Sequence, residues 1–208
     1  VAVGAAYARA RGVARVAIMD FDVHHGNGTQ WTFYADPSVL YVSTHQFPFY
    51  PGTGAASEVG HGDARGRTVN VPLAAGATDA DYQHVFARVV EPVLAEFRPG
   101  LILVSAGYDA DARDPLAQMR VSTAGFRSMV ASLWGSAASL CQGRLVAVTE
   151  GGYNLEALGA GLDATVEVLS SPAGAGSGAT SPPVGPGPRG ERAVAAALDA
   201  QKPFWRRL

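Results

Sequence analysis

Asp20-Phe21-Asp22-Val23-His24-His25-Gly26-Asn27-Gly28-Thr29 is the segment of this 208-residue chain whose residue types best suit chemistry. It follows a short apolar run. Extended backbone puts alternate side chains on one face, so Asp20, Asp22 and His24 are expected to point the same way at a strand end. A carboxylate and an imidazole two residues apart on one face suit a divalent metal such as zinc. The glycines then let the backbone turn sharply beneath the site. The plainer alternative is a solvated acidic strand end followed by a turn.

Two further strand ends carry related chemistry. Leu101-Ile102-Leu103-Val104-Ser105-Ala106-Gly107-Tyr108-Asp109 delivers a carboxylate just after a glycine, a natural third donor, with Asp111 and Asp114 as competitors. Thr149-Glu150-Gly151-Gly152-Tyr153-Asn154 pairs glycines, which allow close backbone approach, with a tyrosine that can aim its hydroxyl into a cleft. A phenol beside a metal can donate a hydrogen bond to a developing oxyanion. Taken alone, that tyrosine reads as a turn residue packed on the surface.

The elements that must position these residues follow from pattern. Short apolar runs at Arg15–Asp20, Val39–Thr44, Thr68–Val71, Leu101–Ser105 and Leu145–Thr149 read as buried parallel strands. Residues 1–11 read as the last turns of a helix. Thr78 with Asp81 is placed to cap a helix running to Phe97, where Pro99-Gly100 ends it. Ser122 or Thr123 starts another to about Gln142, and Asn154 a third to about Leu169. Strands alternating with helices predict an α/β fold with a mostly parallel sheet flanked by helices, whose ligands sit beyond the strands' carboxyl ends. Phe47–Arg67 is a glycine-rich loop of a length usually tied to function. Ser170–Gly190 reads as a Gly/Pro-rich linker, and 191–208 as a short helix with an aromatic-basic tail, Phe204-Trp205-Arg206-Arg207, that docks back.

Composition narrows the function. Apolar residues make up 48% of the chain, enough for a buried core, and the net charge of −2 argues against direct nucleic-acid binding. One cysteine, Cys141, excludes an internal disulfide and fits a core position in a reducing cytoplasm. No apolar run reaches membrane-spanning length and no secretory signal opens the chain, so a cytoplasmic location is expected. Lysine occurs once, at Lys202, amid abundant Ala, Gly and Arg, which points to a GC-rich bacterial gene. The opening Val1, read as mid-helix, leads to the expectation that this is a fragment. Nothing in the sequence specifies an oligomer.

Together the segments resemble the zinc amidohydrolases of the histone-deacetylase-like family, of class II or bacterial type. The resemblance rests on Asp20–Gln30, Pro51-Gly52-Thr53-Gly54, Asn70-Val71-Pro72-Leu73, Ser105–Asp109, Asp114-Pro115-Leu116 and Glu150–Asn154, in the family's order. It covers residues 1–169 as the C-terminal part of the catalytic domain, and implies the arginase/deacetylase fold with its N-terminal part missing. By this resemblance Asp22, His24 and Asp109 hold one zinc ion, and Tyr153 polarises the acyl carbonyl. Asp20 orients one histidine of a catalytic pair. Backbone carbonyls of Asp20, Asp22 and His24, with Ser43 and Thr44, surround a structural potassium ion, and Phe33, Asp36 and Val39 match a second monovalent site. Tyr50, Leu116, Gly151 and Gly152 line the tunnel for the acylated stem, and Asn27 matches the partner of the second catalytic histidine.

One departure weighs against turnover. The family's general-base histidines form a tandem pair upstream of the first metal motif, and no histidine precedes Asp20 here. His24 is claimed by the metal and His25 points to the other face. His45, His61 and His84 are poor substitutes. The expected activity of the intact protein is hydrolysis of an N-acetyl amide, on an acetylated protein or a small molecule, to acetate and free amine. This chain alone is expected to be inactive. The alternatives are a non-catalytic zinc-binding module for acetylated ligands, and a binuclear metallophosphatase, which needs more histidines than the chain supplies.

Overall fold

In the computed structural model, residues 1–172 and 187–208 are described. Five parallel strands, β1 (Val16–Asp20), β2 (Val39–Gln46), β3 (Thr68–Leu73), β4 (Leu101–Ala106) and β5 (Leu145–Thr149), form one sheet in the order β3-β2-β1-β4-β5. The chain runs outward from β1 through β2 to β3, then returns to the other side of β1 for β4 and β5. The strand order therefore reverses beside β1, and the region beyond the carboxyl ends of β1 and β4 is where such sheets bind ligands. In register, Asp20 lies between Ser43 of β2 and Ser105 of β4. Every residue of β1 is buried, as a central strand covered on both faces requires.

Strand side chains alternate between two cores. Ala17, Met19, Leu40, Val42, Ile102 and Val104 join the larger one. Val16, Ile18, Val39, Tyr41 and Leu103 face the smaller one, under α1 (Ala2–Ala10). On the α1 side the outer strand β5 is open, and Val146 and Val148 are exposed. The larger core is closed by α3 (Asp79–Val85), α4 (Glu91–Phe97), α5 (Thr123–Cys141), α6 (Leu155–Ser170) and α7 (Pro188–Gln201); α2 (Asn27–Phe33) follows β1.

The caps expected from sequence are present. Asp81 accepts the Thr78 backbone N–H and hydroxyl at 2.8 and 2.9 Å, Ser122 Oγ accepts Gly125 N, and Asn154 Oδ1 accepts Ala157 N. The single helix expected up to Phe97 differs in one respect. A π-helical segment, Phe86–Val90, separates α3 from α4. Pro92, just beyond it, has no N–H to donate and its ring crowds the preceding turn, which favours such a widening.

The linker expected at 170–190 lies mostly outside the described residues. Beyond it, α7 begins at Pro188, three residues before the expected start. Asp81 Oδ1 accepts Gly190 N at 2.6 Å and so pins α7 to α3. The tail docks as expected: Trp205 is buried, its Nε1 donating to Gly66 O and Gln201 Oε1. Cys141 is buried and unbridged. Among the described residues no helix is long and apolar enough to cross a membrane.

Candidate metal centre

Asp20, the last residue of β1, does not join the group of donors ahead of it. Its carboxylate accepts the Tyr41 hydroxyl at 2.9 Å and the Asp22 backbone N–H at 3.1 Å. Burial, reinforced by the neighbouring Asp22 charge, pushes its carboxyl well above the usual carboxylate range. Asp20 therefore braces the turn from which the next donors project.

Asp22, His24 and Asp109 converge at the switch point, each offering a ligand atom, all within 4.8 Å of one another. His24 Nδ1 lies 3.2 Å from Asp22 Oδ1 and 3.0 Å from Asp109 Oδ2. Backbone amides aim the carboxylates: Asp109 Oδ1 accepts Val23 N, Asp22 Oδ1 accepts His24 N, and Asp22 Oδ2 accepts Gly151 N at 3.0 Å. The sequence left Asp109 in competition with Asp111 and Asp114. Asp111 instead holds Arg113 through its guanidinium and backbone N–H, and Asp114 accepts backbone amides.

The Asp109 carboxylate beside His24, with Asp22 on its other side, raises the imidazole to about 10. A proton thus sits among two carboxylates when nothing else does. Two carboxylates and one imidazole, with Asp109 fully buried and the other two part-exposed, fit a divalent ion reached from one open side. Glycines make room for it. A Cβ at Gly107 would strike the Asp22 carboxylate, and one at Gly151 would strike the carboxylates of both Asp109 and Asp22. The sequence signal was the glycine in each segment; its reason is this close approach.

Five further residues were singled out in sequence for this site, and one neighbour of His24 was missed. Tyr153 is half-exposed, and its hydroxyl is raised by what burial it has and then by the negative charge of Asp109 and Asp22, which places the phenol in their field. Gly151 and Gly152 lead into it, Gly152 at φ 142°. Tyr50 and Leu116 are exposed, and the Tyr50 ring meets His24 edge-on at 6.2 Å. Phe49, the missed residue, stacks on the His24 imidazole at 5.4 Å and 21°. An aromatic followed by Tyr50-Pro51-Gly52 was the available signal.

His25 is turned away into a buried polar network. Its Nε2 donates to Gln30 Oε1 and its Nδ1 accepts from Thr53, so both nitrogens are engaged. Gln30 in turn meets Asn70 and Glu58, and Glu58 Oε1 accepts the Gly54 and Ala55 amides. His45, fully buried, accepts from Ser43 Oγ and donates to Gly54 O at 2.9 Å. This network fastens the 47–67 loop under the site; its member Glu58 carried no sequence signal, and nothing in sequence linked Gln30 and His45 to it. Asn27 is exposed on α2, bonded to Gly28 N. Of the other expected residues, Ser43 and Thr44 lie in β2 beside Asp20, with Thr44 Oγ1 3.5 Å from Asp20 O. Phe33, Asp36 and Val39 share the turn from α2 into β2, where Phe33 O accepts Asp36 N and Asp36 O accepts Val39 N.

Comparison with known proteins bears on the family and the fold. Residues 1–169 match the histone deacetylase domain family. The chain is 50% identical over 159 residues to the chloroplastic histone deacetylase 10 of Oryza sativa subsp. japonica, across 76% of this chain and 36% of that protein. It is 47% identical over 157 residues to the histone deacetylase-like amidohydrolase of Pseudomonas aeruginosa, across 74% of this chain and 40% of that one. The crystal structure of the HDA15 HD domain superimposes with a TM-score of 0.87 at 41% identity, covering 98% of this chain and 55% of the other. The chain thus spans between about a third and a little over half the length of these relatives.

Proposed function

Because this chain belongs to the histone deacetylase family, we propose that it carries the zinc-binding part of a hydrolase that cleaves N-acetyl amides to acetate and free amine. The observation that supports this most directly is the convergence of Asp22, His24 and Asp109 within reach of one ion, with Tyr153 two residues past Gly151, whose amide meets Asp22. A bound zinc ion would supply Lewis acidity toward an acyl carbonyl and a water nucleophile at neutral pH. The chain's own residues do the rest of what is available here. Tyr50 and Leu116 flank the alkyl stem of an acetylated protein or small-molecule substrate, with Gly151 and Gly152 allowing close approach. The phenol of Tyr153 donates a hydrogen bond to the acyl oxygen and strengthens it as negative charge develops. Asp20 braces the turn carrying two donors. Carbonyls of Asp20, Asp22 and His24, with Ser43 and Thr44, hold a structural potassium ion, and those of Phe33, Asp36 and Val39 a second monovalent ion.

The proton acceptor is not among these residues. His24 is a donor to the metal, His25 and His45 are fully bonded and buried, and His61 and His84 lie in the loop and on α3. The base is therefore assigned to a group other than those of this chain, as in the family's tandem histidine pair. Residues 1–208 alone should bind zinc and turn over no substrate, whereas the complete protein should release acetate from an acetyl-lysine peptide or an acetylated amine. Metal-dependent deacetylation by residues 1–208 alone would refute the assignment of the base. Zinc retention with no activity in the complete protein would instead mark a non-catalytic module that binds acetylated ligands.

A further inference from the structure

We infer that Asp114 is a positioning residue that locks Tyr153 and Leu116 into one arrangement over the metal centre. This rests on the roles proposed above for those two residues. Asp114 is 7% exposed, in the loop after β4, and each of its carboxylate oxygens takes one amide. Oδ1 accepts the N–H of Leu116 at 2.9 Å, and Oδ2 accepts the N–H of Tyr153 at 2.8 Å, 39 positions away.

The two recipients sit on segments with no regular structure to hold them. Tyr153 follows Gly152, whose φ of 142° and missing side chain leave that peptide free to swing. The segment is fixed upstream where Gly151 N meets Asp22 Oδ2, and downstream where Asn154 caps α6. Asp114 is the anchor between those points. A buried carboxylate accepting two backbone amides is a strong, directional clamp, and here it ties the segment carrying the hydrogen-bond donor for the acyl oxygen to the segment carrying Leu116. A donor acts on an oxyanion only when it is already aimed at it, so the clamp acts on the chemical step more than on substrate capture.

Asp114→Asn is the discriminating variant. It keeps the shape, but its amide nitrogen must face one of the two backbone N–H groups. In residues 1–208 labelled with 3-fluorotyrosine, the Tyr153 resonance, assigned by its loss in Tyr153→Phe, should shift and broaden in D114N while the melting transition and zinc content hold. In the complete protein, D114N should lower kcat by roughly tenfold to hundredfold, short of the full loss of an oxyanion donor, with KM changed less. The D114N/Y153F double variant should be no slower than Y153F, and Asp114→Glu should recover part of the loss. Independent losses that multiply in the double variant, or an unmoved Tyr153 resonance, would overturn the clamp. If Y153F itself leaves deacetylation intact, the role proposed for Tyr153 fails, and the fluorine signal still decides whether Asp114 holds it. Should D114N not fold, amide exchange in the unsubstituted chain decides: slow exchange at Leu116 and Tyr153 supports the clamp, and fast exchange at either overturns it.

Discussion

The imidazole Nδ1 of His24 lies 3.0 Å from Oδ2 of Asp109, a residue 85 positions further along the chain. This contact, with Asp22 completing the group, makes the site a proton trap until a cation takes the proton's place. The imidazole holds its proton up to about pH 10 because the Asp109 and Asp22 carboxylates face it. Zinc needs the neutral ring, so uptake at pH 7 should expel about one proton per ion. Titration calorimetry in buffers of different ionisation enthalpy reads that number directly, and uptake without proton release would contradict the proposed ligand set. The sign for stability is equally definite. A raised folded value means that this contribution is complete below the ordinary histidine value of about 6.5 and fades as pH climbs through about 10. The metal-free chain should therefore lose stability across that alkaline window, and His24→Ala should not.

Trp205 closes the molecule at the end opposite the site. Its ring lies 5.0 Å from the Arg67 guanidinium, which also sits 5.3 Å over Phe97. Arg67 is thus sandwiched between two aromatic faces, one of them from the C-terminal tail. Trp205→Ala should cost about 3–5 kcal/mol in urea unfolding, the usual range for emptying a buried tryptophan site. Trp205→Phe keeps the stack but loses the bonds to Gly66 O and Gln201 Oε1, and should cost roughly 1–2 kcal/mol.

His45 predicts the acid limit. Burial, with His25 beside it, lowers its imidazole to about 3. The folded chain keeps it neutral while the unfolded chain protonates near 6.5. Its contribution is therefore complete above about pH 6.5 and is lost as pH falls through about 3, on the order of 5 kcal/mol in all. In His45→Asn the fall in stability between pH 6.5 and 3 should be visibly shallower, even though the neutral-pH stability is lower. An unchanged slope would show that His45 does not govern acid unfolding.

The parts of this structure that were legible in sequence are those with a local period or a local chemical pattern. β1 announced itself by an apolar run ending in alternating donors, and Asn154 and Ser122 by their capping chemistry. Asp109 was legible only as one of three aspartates, because Arg113 pairing with Asp111 and the two amides on Asp114 exist only in three dimensions. The π-helical segment before Pro92 was hidden because apolar periodicity continues through it. Helix α2 was hidden because Asn27-Gly28-Thr29 are weak helix formers. The His25 network joins residues 25, 30, 45, 53, 58 and 70, which no local pattern links.

The glycines beside the carboxylates yield the sharpest separation of site from scaffold. At Gly151 an added methyl would strike Asp109 and Asp22 together, and at Gly107 it would strike Asp22 alone. Neither glycine has positive φ, so alanine there carries no left-handed backbone penalty. Gly151→Ala should therefore weaken zinc binding by roughly 100-fold and Gly107→Ala by roughly tenfold, by displacing ligands rather than removing them. The melting transition of metal-free Gly107→Ala should shift little, since the part-exposed Asp22 carboxylate can yield toward the open side, whereas Gly151→Ala also presses on the buried Asp109 and should lower it modestly. Gly152→Ala supplies the contrast. Its φ of 142° makes any side chain strained, at about 1–3 kcal/mol of stability, while its nearest neighbours are atoms of Leu158 rather than a ligand. That variant should melt earlier yet bind zinc within about twofold of the parent, a change too small to reflect a moved ligand. Equal losses of zinc affinity at all three positions would mean that the loop after β5 acts through general distortion, and that close approach to Asp109 and Asp22 is not what the paired glycines serve.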